Sequence, residues 1–196
     1  MSSPVDPFAD GLPTLVGRRV RLRAMTEADA PALLPIYGDP EVRRMGYAPP
    51  MGSLDDALAV VAETHRLVEA RTIFHWGMAL ADTDVIVGHC TLFHMETRYG
   101  RADVGYSLRR DLWGRGLVTE GLGVLLRFAF EVLALRRLEA DVDPRNLGSL
   151  RVLEKHGFAR EGYARERWEL DGEIQDGVLL GLLRREWTGA GAADAR

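Results

Sequence analysis

Asp103-Val104-Gly105-Tyr106-Ser107-Leu108-Arg109-Arg110-Asp111-Leu112-Trp113-Gly114-Arg115-Gly116-Leu117-Val118-Thr119-Glu120 is the stretch that decides the fold. A strand over Ala102 to Leu108 runs into a glycine-bearing turn, and the turn opens a long apolar helix reaching about Leu133. The first turn of such a helix leaves backbone N–H groups without intrahelical acceptors. Together with the macrodipole they form an anion site. Gly114 and Gly116 let the backbone approach an anion with no Cβ in the way, and Arg110 and Arg115 add charge beside it. The Gly-x-Gly spacing alone is weak: it recurs at Gly121/Gly123 and Gly189/Gly191, where it suits no phosphate. Thr119 stands where a dinucleotide fingerprint needs its third glycine, and no Gly-Lys-Ser/Thr follows as a P-loop demands. A tight strand-to-helix turn without a ligand is the competing reading.

Outward from this stretch, strands alternate with helices. Val20-Arg21-Leu22-Arg23 reads as a half-buried strand. Thr26, with Asp29 three residues on, caps a helix that carries Leu33, Leu34 and Tyr37 and stops at Gly38. Asp39-Pro40 starts a second helix. Ser53 opens a third, with Leu58, Val61, Ala62, His65 and Val68 at helical spacing. Ile73 to Ala81, Val85 to Met95 and Ala102 to Leu108 form a three-strand meander. Beyond the long helix lie a strand over Leu138 to Val142 and a helix over Leu147 to Lys155 that ends at Gly157. A last hairpin runs from Phe158 to Trp168 and from Glu173 to Trp187, turning at Asp171-Gly172. This order predicts a mixed α/β sheet rather than a regular doubly wound one. We expect a flexible leader over 1–13, one domain over 14–188 and a disordered tail over 189–196.

The chain has 196 residues, 46% of them hydrophobic, which suits a single core. Its 25 basic and 29 acidic residues give a net charge of -4. That argues against a nucleic-acid binder and leaves room for a cationic partner. No apolar run approaches the roughly 20 residues of a membrane span. A single cysteine, Cys90, fits a core position in a reducing, cytoplasmic compartment. His89 and His94 are five apart on one strand, so they point to opposite faces and do not share a metal. His65 and His75 read as structural or surface residues.

A second constellation lies one strand further on: Asn146-Leu147-Gly148-Ser149-Leu150-Arg151-Val152-Leu153-Glu154-Lys155-His156-Gly157-Phe158. By itself it reads as an N-capping Asn146 with an ordinary first-turn Ser149. Taken with the first stretch, it resembles the GNAT superfamily of acetyl-CoA-dependent N-acetyltransferases, and most closely the RimJ/RimL type that acetylates protein N-termini. The likeness spans about Leu15 to Trp187. It rests on Gly105-Tyr-Ser-Leu108, Trp113 to Glu120, the Asn146 to Phe158 run, Asp176 before an apolar strand ending in Glu186-Trp187, and Leu22-Arg23-Ala24. One place departs: Asp111 stands where the family's phosphate motif usually has Gln or Arg.

The resemblance implies a twisted, mostly antiparallel sheet of six to seven strands, flanked by helices, whose middle strands splay apart at Ala102–Leu108 and Leu138–Val142. It implies acetyl-CoA in that cleft, held by Tyr106, Ser107, Leu108, Arg110, Gly114, Arg115, Gly116, Leu117, Val118, Thr119, Asn146 and Ser149. Asp103 is then the first choice for the base that deprotonates an amine acceptor, with Glu139 and Asp141 behind it. A solvated strand face is the plainer reading for each of the three. Ser149 protonates the departing sulfur and Asn146 orients the pantetheine amide; Tyr106 and Tyr163 are other candidate acids. Met45, Tyr47 and Trp76 fall where the likeness puts the acceptor groove, although core packing suits Trp76 as well. A catalytically inactive acyl-CoA-binding domain and a transferase for longer acyl chains are the rival readings. The acceptor and the oligomeric state, a homodimer included, stay open.

Overall fold

The computed structural model describes residues 6–46, 51–170 and 172–189. Tyr47 and Asp171 therefore lie outside the described residues, as do 1–5 of the expected leader and 190–196 of the expected tail. Eight strands form one sheet: β1 Leu15–Val16, β2 Val20–Arg23, β3 Ile73–Leu80, β4 Ile86–Glu96, β5 Arg101–Leu108, β6 Arg137–Val142, β7 Ala159–Leu170 and β8 Glu173–Leu183. Their spatial order is β1-β2-β3-β4-β5-β6-β8-β7. The count exceeds the expected six to seven because the two-residue β1 pairs with β2. Every pairing is antiparallel except β5 with β6. Those two are parallel because a helical crossover, α4 Leu117–Arg127, joins them.

Helices cover both faces. One core lies under α4 and α5 (Leu147–Lys155) and contains Trp76, Leu92, Val104, Leu122, Phe130, Leu138 and Leu182. Gly121 brings α4 close to the sheet: a Cβ there would sit 2.8 Å from Met78 Cε. The long helix continues to Val132 as a π-helical turn, Phe128–Val132. The second core, on the opposite face, lies under α1 (Ala30–Tyr37) and α3 (Leu54–Glu69) and contains Met25, Leu33, Ile36, Val61 and Ile86. The short α2, Pro40–Arg44, starts on an Asp39 cap, and Ser53 with Asp56 forms a capping box for α3. On α3 the buried stripe is Ala57, Val61 and Thr64, not the expected line through Leu58 and His65. His65 instead turns its Nε2 to the Met25 carbonyl at 2.7 Å. Residues 6–13 lie against the first core: Phe8 stacks on Phe74 at 4.0 Å between ring centroids, and the Pro13 carbonyl accepts from Trp76 Nε1. Among the described residues no helix is long and apolar enough to cross a membrane.

A polar chain runs through the second core. His75 and His89 on neighbouring strands sit 4.5 Å apart between ring centroids. His89 Nδ1 lies 2.7 Å from the Tyr37 hydroxyl and 2.8 Å from Ser107 Oγ. Desolvation lowers the His75 pKa to about 4 and holds His89 well below its ordinary range, with the charge of His75 adding to the latter. Both imidazoles are thus neutral in the folded state at pH 7. As pH falls through 6.5 the unfolded chain takes up protons that the folded chain refuses until about pH 4, so stability falls across that window. Urea denaturation at pH 7 and pH 5 should show a lower midpoint at pH 5, and a His75→Phe variant should lose part of that difference. An equal pH dependence in the variant would contradict the assignment.

Candidate active site

The site lies where the sheet divides. β5 pairs with β6 only at Arg101↔Arg137, Ala102↔Leu138 and Asp103↔Glu139. Beyond this point β5 stays on β4 as far as Leu108, while β6 stays on β8 as far as Val142. Between them opens a V-shaped cleft with Asp103 at its apex and the edge of β5 from Val104 to Leu108 along one arm. The expected splay of these two strands is present. Ser107 sends its side chain to His89 on the α1 face, so only its backbone belongs to the cleft edge. The Leu108 carbonyl is already taken by Trp113 Nε1 at 2.7 Å.

At the end of the β5 arm the chain makes its glycine turn into α4. Gly114 and Gly116 have φ of +75° and +74°, left-handed values that glycine adopts without strain. Gly116 is the N-cap of α4. Glu120 N is the amide that reaches back to the Gly116 carbonyl, at 3.1 Å, which leaves the amides of Leu117, Val118 and Thr119 ahead of the helix ladder. A Cβ at Gly114 would meet nothing within 4 Å, so that glycine faces open space, and one at Gly116 would touch only Arg19 Nη2 at 3.4 Å. This is a cradle that a diphosphate fits: consecutive amides, left-handed glycines and no side chain across the mouth. Asp111, at the departing position, is occupied by Arg109 at 2.6 Å. Arg110 is exposed, with Nη1 3.9 Å from Asp39 Oδ1. Arg115 is exposed beside the turn.

Across the cleft, Asn146 caps α5 by accepting from Ser149 N at 3.0 Å, as the plainer sequence reading has it. Ser149 Oγ lies 2.7 Å from the Tyr106 hydroxyl, which also donates to the Ser149 carbonyl at 3.2 Å. The pair bridges β5 and the helix that follows β6. Burial pushes the Tyr106 hydroxyl well above its usual pKa, so it stays protonated. Tyr163 is elsewhere: exposed on β7, it donates to Asp176 at 2.5 Å.

The apex carries three carboxylates on one face of the two strands. Glu139 is held by Arg137 at 2.6 Å and Arg101 at 3.3 Å, and Asp141 by Arg167 at 2.8 Å. Asp103 instead meets His94 Nδ1 at 2.9 Å. Burial raises the Asp103 pKa, with the charge of Glu139 adding to it, against the opposing hydrogen bond from His94. His94 reaches Asp103 because its φ is +46°, at a point where the β4–β5 register shifts between Phe93 and Glu96. The odd-spacing argument, which assumes a regular strand, therefore fails for His94. Trp76 is fully buried in the α4-side core, opposite the second core, and does not line an acceptor groove. Cys90 is also fully buried, its thiol pushed far up by desolvation. Sequence reading missed His94 as a partner of Asp103. It also missed Arg19, whose guanidinium reaches the carbonyls of Arg115 and Gly116.

A glycine turn on a helix N-terminus beside a parted sheet offers an anion cradle and an open strand edge in one groove. The acetyltransferase (GNAT) domain family profile matches residues 19–159, and the chain belongs to that family. It is an N-acetyltransferase, and enzymes of this family use acetyl-CoA. It is 31% identical over 176 residues to the uncharacterized N-acetyltransferase p20 of Bacillus licheniformis, covering 90% of this chain and 99% of the relative. It is also similar to ribosomal protein uS5-alanine N-acetyltransferase of Escherichia coli, with 29% identity over 132 residues, 67% of this chain and 66% of that protein. Mycobacterium smegmatis RimJ, solved in complex with CoA-disulfide, shares the fold at a TM-score of 0.83 and 23% identity, over 92% of this chain and 91% of that one.

Proposed function

We propose that the enzyme transfers acetyl from acetyl-CoA directly to a primary amine, either a protein N-terminal α-amine or a small-molecule amine, acting as one domain over 14–188. The parting of β5 from β6 beside the Gly114–Thr119 turn carries this reading. It offers an anion cradle and an unpaired strand edge in one continuous groove. When bound, acetyl-CoA supplies a thioester carbonyl. The amides from Gly114 to Thr119 hold its pyrophosphate, with Arg110 and Arg115 adding charge. The β5 edge at Tyr106 and Ser107 pairs with the pantetheine amides as a strand would, and Leu108, its carbonyl held by Trp113, ends that edge. Asn146 orients that arm and fixes the start of α5.

Two groups move protons. Asp103 receives the proton of the acceptor ammonium, directly or through one water. It is favoured over Glu139 and Asp141 because arginines hold both of those as ion pairs, whereas the hydrogen-bond partner of Asp103 among the described residues is His94. Tyr106 and Ser149 form a hydroxyl pair that delivers a proton to the departing sulfur. The same pair weighs against a purely binding domain, since coenzyme A retention alone needs no acid there. The similarity to the E. coli ribosomal-protein acetyltransferase supports an N-terminal peptide as the first acceptor to test.

Ser149→Ala should lower kcat in a thiol-release assay about a hundredfold, the low end of the usual span for one general acid, while calorimetric affinity for coenzyme A changes far less. Unchanged turnover would remove Ser149 from the mechanism. Asp103 works only when ionised, and its pKa is raised. The acidic limb of the kcat/KM profile should therefore stand at higher pH than an ordinary carboxylate gives. Asp103→Asn should abolish that limb and lower the plateau; a profile that keeps the limb would assign the base elsewhere.

A further inference from the structure

Nearly a hundred residues before the glycine turn, the tight β1–β2 connection carries Arg19. Gly17 N donates to the Val20 carbonyl at 2.9 Å, and a Cβ at Gly17 would stand 2.9 Å from Glu120 Oε1. The connection is thus pressed against the first turn of α4. Glu120, with its side chain 7% exposed, accepts from Arg19 N at 2.6 Å and from Arg19 Nε at 2.8 Å. Burial alone would raise the Glu120 pKa, but these hydrogen bonds and the arginine charge outweigh it and hold the carboxylate ionised. The remaining nitrogens of Arg19 point outward along the turn: Nη1 donates to the Arg115 carbonyl at 3.0 Å and Nη2 to the Gly116 carbonyl at 3.2 Å.

In a trans peptide the C=O and the following N–H point in opposite directions. Among the described residues no peptide bond is cis. Fixing the Arg115 carbonyl therefore fixes the Gly116 amide on the far side of its peptide plane, and fixing the Gly116 carbonyl does the same for Leu117. On the Gly116 carbonyl Arg19 adds to the helical bond from Glu120 N, whereas the Arg115 carbonyl lies ahead of the helix between two left-handed glycines of broad φ and ψ, so it is above all the Gly116 amide that the clamp aims. We propose that Arg19, held by Glu120, is a positioning residue that aims the Gly116 and Leu117 amides into the diphosphate cradle. It acts from behind the turn and does not touch the anion. This rests on the cofactor reading above. A planar guanidinium is suited to the task, because its fork offers one nitrogen to each of two adjacent carbonyls while Nε serves the carboxylate.

The test uses Arg19→Gln, Arg19→Lys and Glu120→Gln, with steady-state thiol release from acetyl-CoA and calorimetric titration with coenzyme A. Wild-type titration comes first, since a wild-type chain that bound no coenzyme A would overturn the cofactor reading itself. For Arg19→Gln we expect KM for acetyl-CoA and the coenzyme A Kd to rise about tenfold, the scale seen for outer partners of bound ligands, with kcat within about twofold. That split marks lost binding remote from the reacting atoms. Arg19→Lys, able to reach one carbonyl but not both, should fall between. Glu120→Gln should weaken binding in the same direction, because the clamp loosens. Unchanged Kd in Arg19→Gln would overturn the proposal. So would tighter binding in Glu120→Gln, which would mean that Arg19 meets the phosphates as a charge. An equal loss of kcat and affinity in both Arg19 variants would reduce the residue to general fold support.

Discussion

The structure depends on one constraint: two parallel neighbours, β5 and β6, hold together over three residue pairs and then separate. A parallel strand pair normally continues its ladder, and unpaired backbone groups inside a sheet are costly. Here each arm keeps a full ladder on its outer side, β5 with β4 and β6 with β8, so neither half loses its place when the middle opens. The cleft edge of β5 is left as an edge strand within the body of the sheet. Such an edge invites a strand-like ligand, and an arm with alternating amides meets that requirement. The crossover that makes β5 and β6 parallel is also the helix whose N-terminus ends the groove, so fold topology and anion site come from the same connection.

The groups proposed to move protons divide between the two sides of this opening. The Tyr106–Ser149 pair crosses it on the side of the α4–α5 core, where apolar packing keeps the tyrosine protonated. Asp103 sits at the apex among Glu139 and Asp141, where carboxylates and arginines interleave. Under the proposed roles, a proton acceptor and a proton donor on opposite faces of one cleft suit a reaction in which an ammonium enters from one side and a sulfur leaves on the other.

Much of this was legible in the sequence because its signals are local. The strand, the two glycines and the helix that follow one another from Ala102 onward gave the turn. Asn146 and Ser149 fall where helix spacing puts them, and the capping box at Thr26 and the helix start at Ser53 read directly from their residues. What stayed hidden depends on geometry that spacing does not encode. His94 meets Asp103 through a left-handed backbone at a register shift, which a strand of regular period excludes. Arg19 acts on a turn that lies far along the chain, and only the β1–β2 pairing brings it there. The α3 stripe rotated because Thr64 took an inward place while His65 bonded to a carbonyl. Trp76 had two readings, and the face of β3 that it occupies decided for the core.

The most direct measurement is a crystal structure of this chain with coenzyme A bound. The account predicts the pyrophosphate within hydrogen-bond distance of the amides from Gly116 to Thr119 and the pantetheine arm between β5 and β6, its sulfur near Tyr106 and Ser149. Coenzyme A found on another face, or β5 and β6 paired along their full length in the complex, would contradict it.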